Sequence, residues 1–286
     1  MDSHVWRTVY QMIVAEGRSI PRLGRKPKYT DVLIVGMYLW SVGHDRPLCW
    51  ACRRENYSSC FRPRKLPSVS QFCRRIKTPR CQQILQGVHD RLAQPSVASE
   101  LSFLDGRALV VGPHTKDREA HRGRVSGGFA RGYKLHAWAT EDGRIPLWSV
   151  MPLNVNEKRV AKELIVHGNL SGLILADMGY DGGPLYDAVA ERGMQLLTPM
   201  IKKNAGKGHR RQSPWRLAAA RSWDGIAGYV YRERISVERF FGHQATCGGG
   251  LGPLPGWVRT LERVRRWVGA KLIIYHARLY LRRAAG

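Results

Sequence analysis

The chain has 286 residues, of which 43% are hydrophobic, and a formal net charge of +25. This composition argues against a disordered chain, and no apolar run reaches the roughly 18 residues of a membrane-spanning helix. Because the first twenty residues also lack the apolar block of a signal peptide, we expect a cytoplasmic protein whose six cysteines are reduced thiols.

The positive charge is concentrated at the two ends of the chain. Residues 1–99 hold 17 Lys and Arg against 6 Asp and Glu, residues 100–200 hold 12 against 12, and residues 201–286 hold 18 against 4. Clustered cations bind polyanions, because each neutralised phosphate releases counterions. We therefore expect a nucleic acid partner and no membrane; a solvated basic surface is the alternative.

The segment to residue 99 is predicted to be helical. One buried helix is expected from residue 31 towards residue 41, capped by Thr30 or Asp31. A second begins at Pro67-Ser68 and carries Arg74 and Arg75 on its polar face, and a third covers about residues 81–93. A basic helical face is typical of a DNA reader, with contacts through Arg74 and Arg75. A helical dimerisation or packing domain is an equal alternative.

The cysteines of this segment raise the alternative of a zinc site. Cys49 and Cys52 form a CxxC, followed by Cys60 and Cys73. Structural zinc sites usually show two tight pairs, whereas here the second pair is widely spaced. Ordinary buried thiols are therefore favoured over a zinc-dependent DNA reader.

From residue 100 onward, short apolar strands alternate with helices. This succession predicts an α/β domain over residues 100–286, with a mixed sheet flanked by helices. Strands are predicted at 103–111, 133–140, 145–151, 173–176 and 195–199, and helices at 157–167, 184–193, 229–243 and 257–283, with a basic loop at 202–216.

Two aspartates interrupt or end apolar strands in this domain. Asp105 lies within FLDGRAL, where a charge near the core costs free energy unless it is paired or binds a metal. Asp177 follows the strand LILA, and ligands bind beyond the carboxyl ends of strands in open α/β sheets. Each aspartate taken singly is more often a turn or capping residue.

A third pattern lies on a predicted helix. Tyr231, Arg234 and Glu238 in YRERISVERF are spaced at i, i+3 and i+7, which places them on one helical face. The alternative is a solvated face with an ordinary Arg–Glu pair.

These segments together resemble the DDE transposases of bacterial insertion sequences. FLDGRAL, ARGYKLHAWATEDGRIPLWSVMPLNVNE, LILADMGYDG and YRERISVERFF occur in that family's order, from about Leu101 to the C-terminus. The Tyr-x2-Arg-x3-Glu row resembles its signature around the catalytic glutamate. The family often has a Lys seven positions after that glutamate, where this chain has Ala245.

The resemblance implies a ribonuclease-H-like fold with Asp105 on the first strand, Asp177 at the end of the fourth and Glu238 on an adjacent helix. The three carboxylates would be catalytic and would hold two Mg²⁺ ions, with Mn²⁺ as a substitute. The implied activity is cutting at terminal inverted repeats and joining of 3′ ends to target DNA, by a homodimer in the bacterial nucleoid. A non-catalytic DNA-binding derivative and a nuclease of the same fold are the alternatives.

Further DNA contacts are expected around this site. Arg234 and Tyr231 are expected to hold a scissile phosphate or to orient Glu238. Lys134 and His136 share one strand face, which contacts either DNA or solvent. A polar loop is expected to carry two further histidines, His114 and His121.

Overall fold

The computed structural model describes residues 1–21, 24–25, 27–95, 100–201, 212–234, 242 and 250–284. Contacts divide the chain into two compact units. The first comprises residues 1–94 and 244–286, and the second comprises residues 95–243. Among the helices within the described ranges, none combines the length and apolarity that crossing a membrane requires.

The described helices and strands are each numbered along the chain. The helices are α1 (Ser3–Ser19), α2 (Asp31–Gly43), α3 (Val69–Arg75), α4 (Pro79–Ala93), α5 (Glu157–His167), α6 (Gly183–Ala190), α7 (Pro214–Arg221), α8 (Gly228–Tyr231) and α9 (Leu261–Ala284). The strands are β1 (Leu101–Val110), β2 (His121–Val125), β3 (Gly128–Thr140), β4 (Leu147–Pro152), β5 (Leu173–Ala176) and β6 (Gln195–Leu197). Single 3₁₀ turns lie at Trp50–Cys52, Arg54–Asn56, Met178–Tyr180 and Arg232–Arg234.

Side-chain caps set the starts of the helices in the first unit. The Thr30 hydroxyl accepts a hydrogen bond from the Leu33 amide at the start of α2. Ser68 and Gln71 form a reciprocal capping box at the start of α3. Both starts lie where the sequence predicted them, because a cap is a local signal that needs no distant partner.

The C-terminal helix α9 belongs to the first unit, where it contacts α1, α2 and α4. The sequence division at residue 99 had placed it with the α/β domain. Val264, Val268 and Leu272 of α9 are buried, and this apolar surface packs on the N-terminal helices. The helix begins at Leu261 rather than at Trp257.

The second unit is a mixed α/β structure around a six-stranded sheet with the order β2-β3-β1-β5-β6, in which β4 also pairs with β3. Strand β1 is antiparallel to β3 and parallel to β5, and β5 is parallel to β6. Antiparallel strands followed by parallel strands that helices connect form the ribonuclease-H-like topology. The predicted fold class is confirmed.

Two elements of this unit differ from the sequence prediction. Residues 121–125 form strand β2, which is mostly exposed and therefore lacks an apolar alternation, and His121 lies at its start rather than in a loop. Helix α7 begins at Pro214, within the predicted loop, because Ser213 caps it. The rest of that predicted loop, residues 202–211, lies outside the described residues.

Candidate functional site

The parallel pairing of β1 with β5 brings the two aspartates together. Leu104 of β1 pairs with Ala176 of β5 at the end of the parallel ladder. Asp105 and Asp177 are the next residues after this pair, so they lie side by side. β1 is buried on both sides just before this point, where Phe103 and Leu104 are each 1% exposed. The sheet core thus fixes the backbone from which both carboxylates project.

Burial dominates the electrostatics of Asp105, whose side chain is only 18% exposed. It raises the pKa of Asp105 to about 6, and the Asp177 carboxylate acts in the same direction. The Gly106 amide, which donates to Asp105 Oδ1 at 2.7 Å, and the cations Arg234 and Lys134 lower the pKa. Because burial and Asp177 disfavour its charged form, a bound cation would stabilise the Asp105 carboxylate.

Asp177 caps the 3₁₀ turn Met178–Tyr180 by accepting a hydrogen bond from the Gly179 amide at 2.8 Å. A Cβ added at Gly179 would lie 2.8 Å from Asp177 Oδ1 and 3.2 Å from Glu157 Oε2. The two carboxylates therefore border the same methyl-sized volume. Glycine at this position lets the first turn of α5 approach the end of β5.

Glu157 is a member of this cluster that sequence reasoning missed. Burial and then the carboxylates of Glu157, Asp105 and Asp177 raise the pKa of Tyr180, which is 1% exposed. The only sequence signal was its position as the last residue of the segment ARGYKLHAWATEDGRIPLWSVMPLNVNE. A glutamate in the first turn of a helix is ordinary because it favours the helix dipole, so nothing local distinguished it.

Lys134 joins the sheet to Glu157. Its ammonium donates to Glu157 Oε1 in an ion pair, and its side chain is 15% exposed. A Cβ added at Gly106 would lie 2.7 Å from Lys134 Cε, so the lysine packs against the residue that follows Asp105. The ion pair thus joins β3 to α5 next to Asp105.

Arg234 reaches the site from the segment after α8. Its Nη2 lies 4.0 Å from Asp105 Oδ2, and its Nη1 donates to the Tyr231 hydroxyl at 3.3 Å. The Arg234 Nε is buried and has no hydrogen-bond partner among the described residues. Tyr231 and Arg234 therefore lie together beside Asp105.

The third predicted carboxylate, Glu238, lies outside the described residues, as does Ala245. Within the described ranges, no group of three or more His, Cys, Asp or Glu side chains has a geometry that could hold a metal ion. The donors of Asp105 on β1 and of Asp177 just after β5 are carboxylate oxygens, the ligands that Mg²⁺ and Mn²⁺ prefer. Their chemistry fits a hard divalent cation.

His136, which was expected to contact either DNA or solvent, is buried in the second unit. It is 1% exposed, and neither ring nitrogen has a partner among the described residues. Burial lowers its pKa to about 4, which keeps the ring neutral. The burial of His136 on β3 depends on long-range packing, which the alternation of residues along a strand does not reveal. His114 is exposed.

The two arginines of α3 have different environments. Arg74 is exposed, whereas Arg75 Nη2 lies 2.5 Å from Asp31 Oδ1. Arg80 Nε lies 3.1 Å from the other oxygen of Asp31, which is 7% exposed. Arg75 therefore balances a buried carboxylate, a role that its position on the polar face did not indicate.

A family model described as "Transposase DDE domain" matches residues 98–275, and this match confirms the resemblance drawn from the motifs. A search of curated proteins gave no match. A solved structure of the piggyBac transposase synaptic complex with hairpin DNA has a TM-score of 0.46 and 9% identity, over 96% of this chain and 71% of that chain. The Mos1 mariner paired end complex with Mn has a TM-score of 0.26 and 13% identity, over 85% and 86%.

Proposed function

Because the chain belongs to the transposase DDE domain family, we propose that it is an insertion-sequence transposase that cuts DNA and joins its 3′ ends through Asp105, Asp177 and Glu238. The observation that carries the proposal is the parallel register of β1 and β5, whose last pair is Leu104 with Ala176, so that Asp105 within β1 and Asp177 after β5 are the next residues on neighbouring strands. Two carboxylates held this close in a partly buried setting are unfavourable without a cation.

The three carboxylates would hold two Mg²⁺ or Mn²⁺ ions, which would activate the attacking oxygen and stabilise the leaving oxygen of an in-line displacement. The residues of the chain supply position and charge. Asp105 must lose its proton to bind a cation, and its raised pKa makes this step pH-dependent near pH 6. Lys134 and Arg234 offset part of the negative charge before a cation binds.

Arg234 is the side chain best placed to contact the scissile phosphate. It lies beside Asp105 and holds an N–H group without a partner among the described residues. A guanidinium binds phosphate oxygens through paired N–H groups. The Tyr231 hydroxyl, which accepts from Arg234, fixes the direction of that guanidinium.

Double-stranded DNA is the proposed partner, both as terminal inverted repeats and as target. Its phosphates complement the basic flanks of the sequence. Two DNA ends need two active sites, so we infer a homodimer on DNA. The first unit, with the exposed Arg74 on α3, is the proposed DNA-binding or dimerisation domain.

The test is a cleavage assay on a DNA fragment that carries the gene with its native flanks, with Mg²⁺ or Mn²⁺ and nucleotide-resolution mapping. Asp105→Asn, Asp177→Asn and Glu238→Gln are compared with Asp187→Asn, which removes a carboxylate from α6. We expect paired cuts at inverted repeats, lost in the first three variants and retained in the control. Binding without cutting would indicate a non-catalytic derivative, and cutting without joining would indicate a nuclease. Cuts that persist in all variants would refute the site.

A further inference from the structure

A cavity of about 220 Å³ lies within the first unit, lined by residues of α2, α3 and the start of α9. Its walls include the apolar side chains Ile76 and Val258 and the indoles of Trp257 and Trp267. Trp257 is 45% exposed, whereas Trp267 is 5% exposed and its ring is covered by the Lys271 ammonium at 5.0 Å. Trp257 therefore offers an accessible aromatic face.

The polar part of the lining is cationic. Arg46, Lys77, Arg263 and Arg266 line the cavity, and none of its described lining residues is acidic. Lys77 and Arg266 are partly balanced by the nearby Glu262. Arg46 and Arg263 are exposed and form no ion pair with any described residue. The cavity therefore combines an aromatic surface with positive charge that the described residues do not neutralise.

Arg266 gives a second, independent indication of a ligand. Its side chain is 6% exposed and one amino group pairs with Glu262. Its Nε is buried without a hydrogen-bond partner among the described residues. A buried N–H without an acceptor is costly, so a ligand oxygen or ring nitrogen that accepts this bond would be stabilised here.

We propose that this cavity binds one unpaired nucleotide of DNA, with the base against Trp257 and the phosphates near Arg46 and Arg263. Aromatic side chains stack on any base, and guanidinium groups bind phosphates through fixed N–H pairs. The volume suits a single ring system, since sites for drug-sized ligands take about 300–1,000 Å³. The proposal rests on DNA binding by this chain but not on cutting by Asp105 and Asp177.

The test measures binding of the full chain to a single-stranded 12-nucleotide DNA that carries one 2-aminopurine, by the fluorescence of that base. We expect Trp257→Ala to weaken binding about tenfold, or ~1.4 kcal/mol. The matched control is Trp215→Ala, because Trp215 is 58% exposed but lies on α7 in the other unit. Equal effects of the two substitutions would overturn the proposal.

A charge-matched pair separates the cavity from general attraction to phosphates. Arg46→Gln and Arg7→Gln each remove one exposed cation from the first unit, but only Arg46 lines the cavity. Both should weaken duplex binding slightly, whereas only Arg46→Gln should weaken capture of the single strand severalfold. In competition with the labelled strand, equal affinity for a 12-mer that is abasic at every position would refute base recognition, because any base can stack on Trp257.

The two proposals fail in different experiments. Capture of 2-aminopurine without any metal-dependent cutting would uphold the nucleotide site and reject the transposase site. Cutting that depends on Asp105 with no capture would do the reverse. A chain that binds no oligonucleotide would overturn the nucleotide site outright.

Discussion

At the scale of single residues, the buried Asp105 carboxylate should lower the unfolding free energy of the metal-free chain and should be stabilised by a bound cation. Its pKa is about 6 in the folded chain against an ordinary value of 3.8, so the folded state binds more protons between these values. The free energy of unfolding without metal therefore falls as pH rises from about 4 to 6. Asp105→Asn should raise this free energy at pH 7.5, on the order of 3 kcal/mol, with a smaller gain at pH 5.

Urea unfolding in a chelator at the two pH values checks this prediction, with Asp187→Asn as the control. The same experiment in Mg²⁺ should reverse the order of wild type and Asp105→Asn, because only the wild type retains this ligand. A variant that is less stable than wild type at pH 7.5 in the chelator would show that Arg234 and Lys134 outweigh burial.

A second prediction at this scale concerns Glu157 as a positioning residue. Glu157→Gln leaves the Lys134 ammonium without its carboxylate partner, and Gly179→Ala inserts a methyl group between Asp177 and Glu157. Both should slow cutting roughly tenfold or more and raise the Mg²⁺ concentration for half-maximal cutting. Gly112→Ala, where an added Cβ meets nothing within 4 Å, is the control. An unchanged Mg²⁺ requirement would contradict a role in positioning.

At the scale of elements, a buried ion pair attaches α7 to the chain that follows β5. Asp181 and Arg216 are 1% and 5% exposed, and two hydrogen bonds of 2.5 and 2.7 Å join them. Asp181 also accepts from the Ile201 amide at 2.8 Å. Removal of one partner leaves a buried charge, so Asp181→Asn should cost about 3–5 kcal/mol of unfolding free energy.

The control for this pair is available on α5. Arg159 and Glu163 form an exposed pair at i and i+4, so Glu163→Gln should change the unfolding free energy by less than about 0.5 kcal/mol. Urea titrations of both variants check the contrast. A loss below 1 kcal/mol for Asp181→Asn would mean that the Arg216 charge finds solvent when its partner is removed.

The elements that the sequence predicted well are those with local signals. Helix α5 and strand β5 were predicted with their observed bounds, because apolar periodicity and flanking polar residues define them. The start of α7 was not predicted despite its local Ser213 cap, because the segment has few apolar residues and the buried Arg216 counts as polar until its partner Asp181 is known. The proximity of Asp105 to Asp177 depends on the β1–β5 register, which no local pattern encodes. The sequence predicted it only through the family resemblance of the motifs.

At the scale of the whole molecule, DNA affinity should depend strongly on salt, and individual arginines should contribute unequally. The basic flanks, residues 1–99 and 201–286, surround a segment with no net charge. Each phosphate contact contributes about −0.9 to the slope of log affinity against log salt. If the exposed Arg74 contacts a phosphate, Arg74→Gln should reduce the steepness of this slope by about that amount.

Arg75→Gln, one position further along α3, is the matched comparison. Arg75 neutralises Asp31 inside the first unit, so its loss should lower the unfolding free energy by about 1–3 kcal/mol with little change in the salt slope. Binding titrations on duplex DNA from 50 to 200 mM salt, paired with urea unfolding, separate the two effects. Equal slopes for Arg74→Gln and wild type would remove α3 from the DNA interface and favour packing or dimerisation as its role.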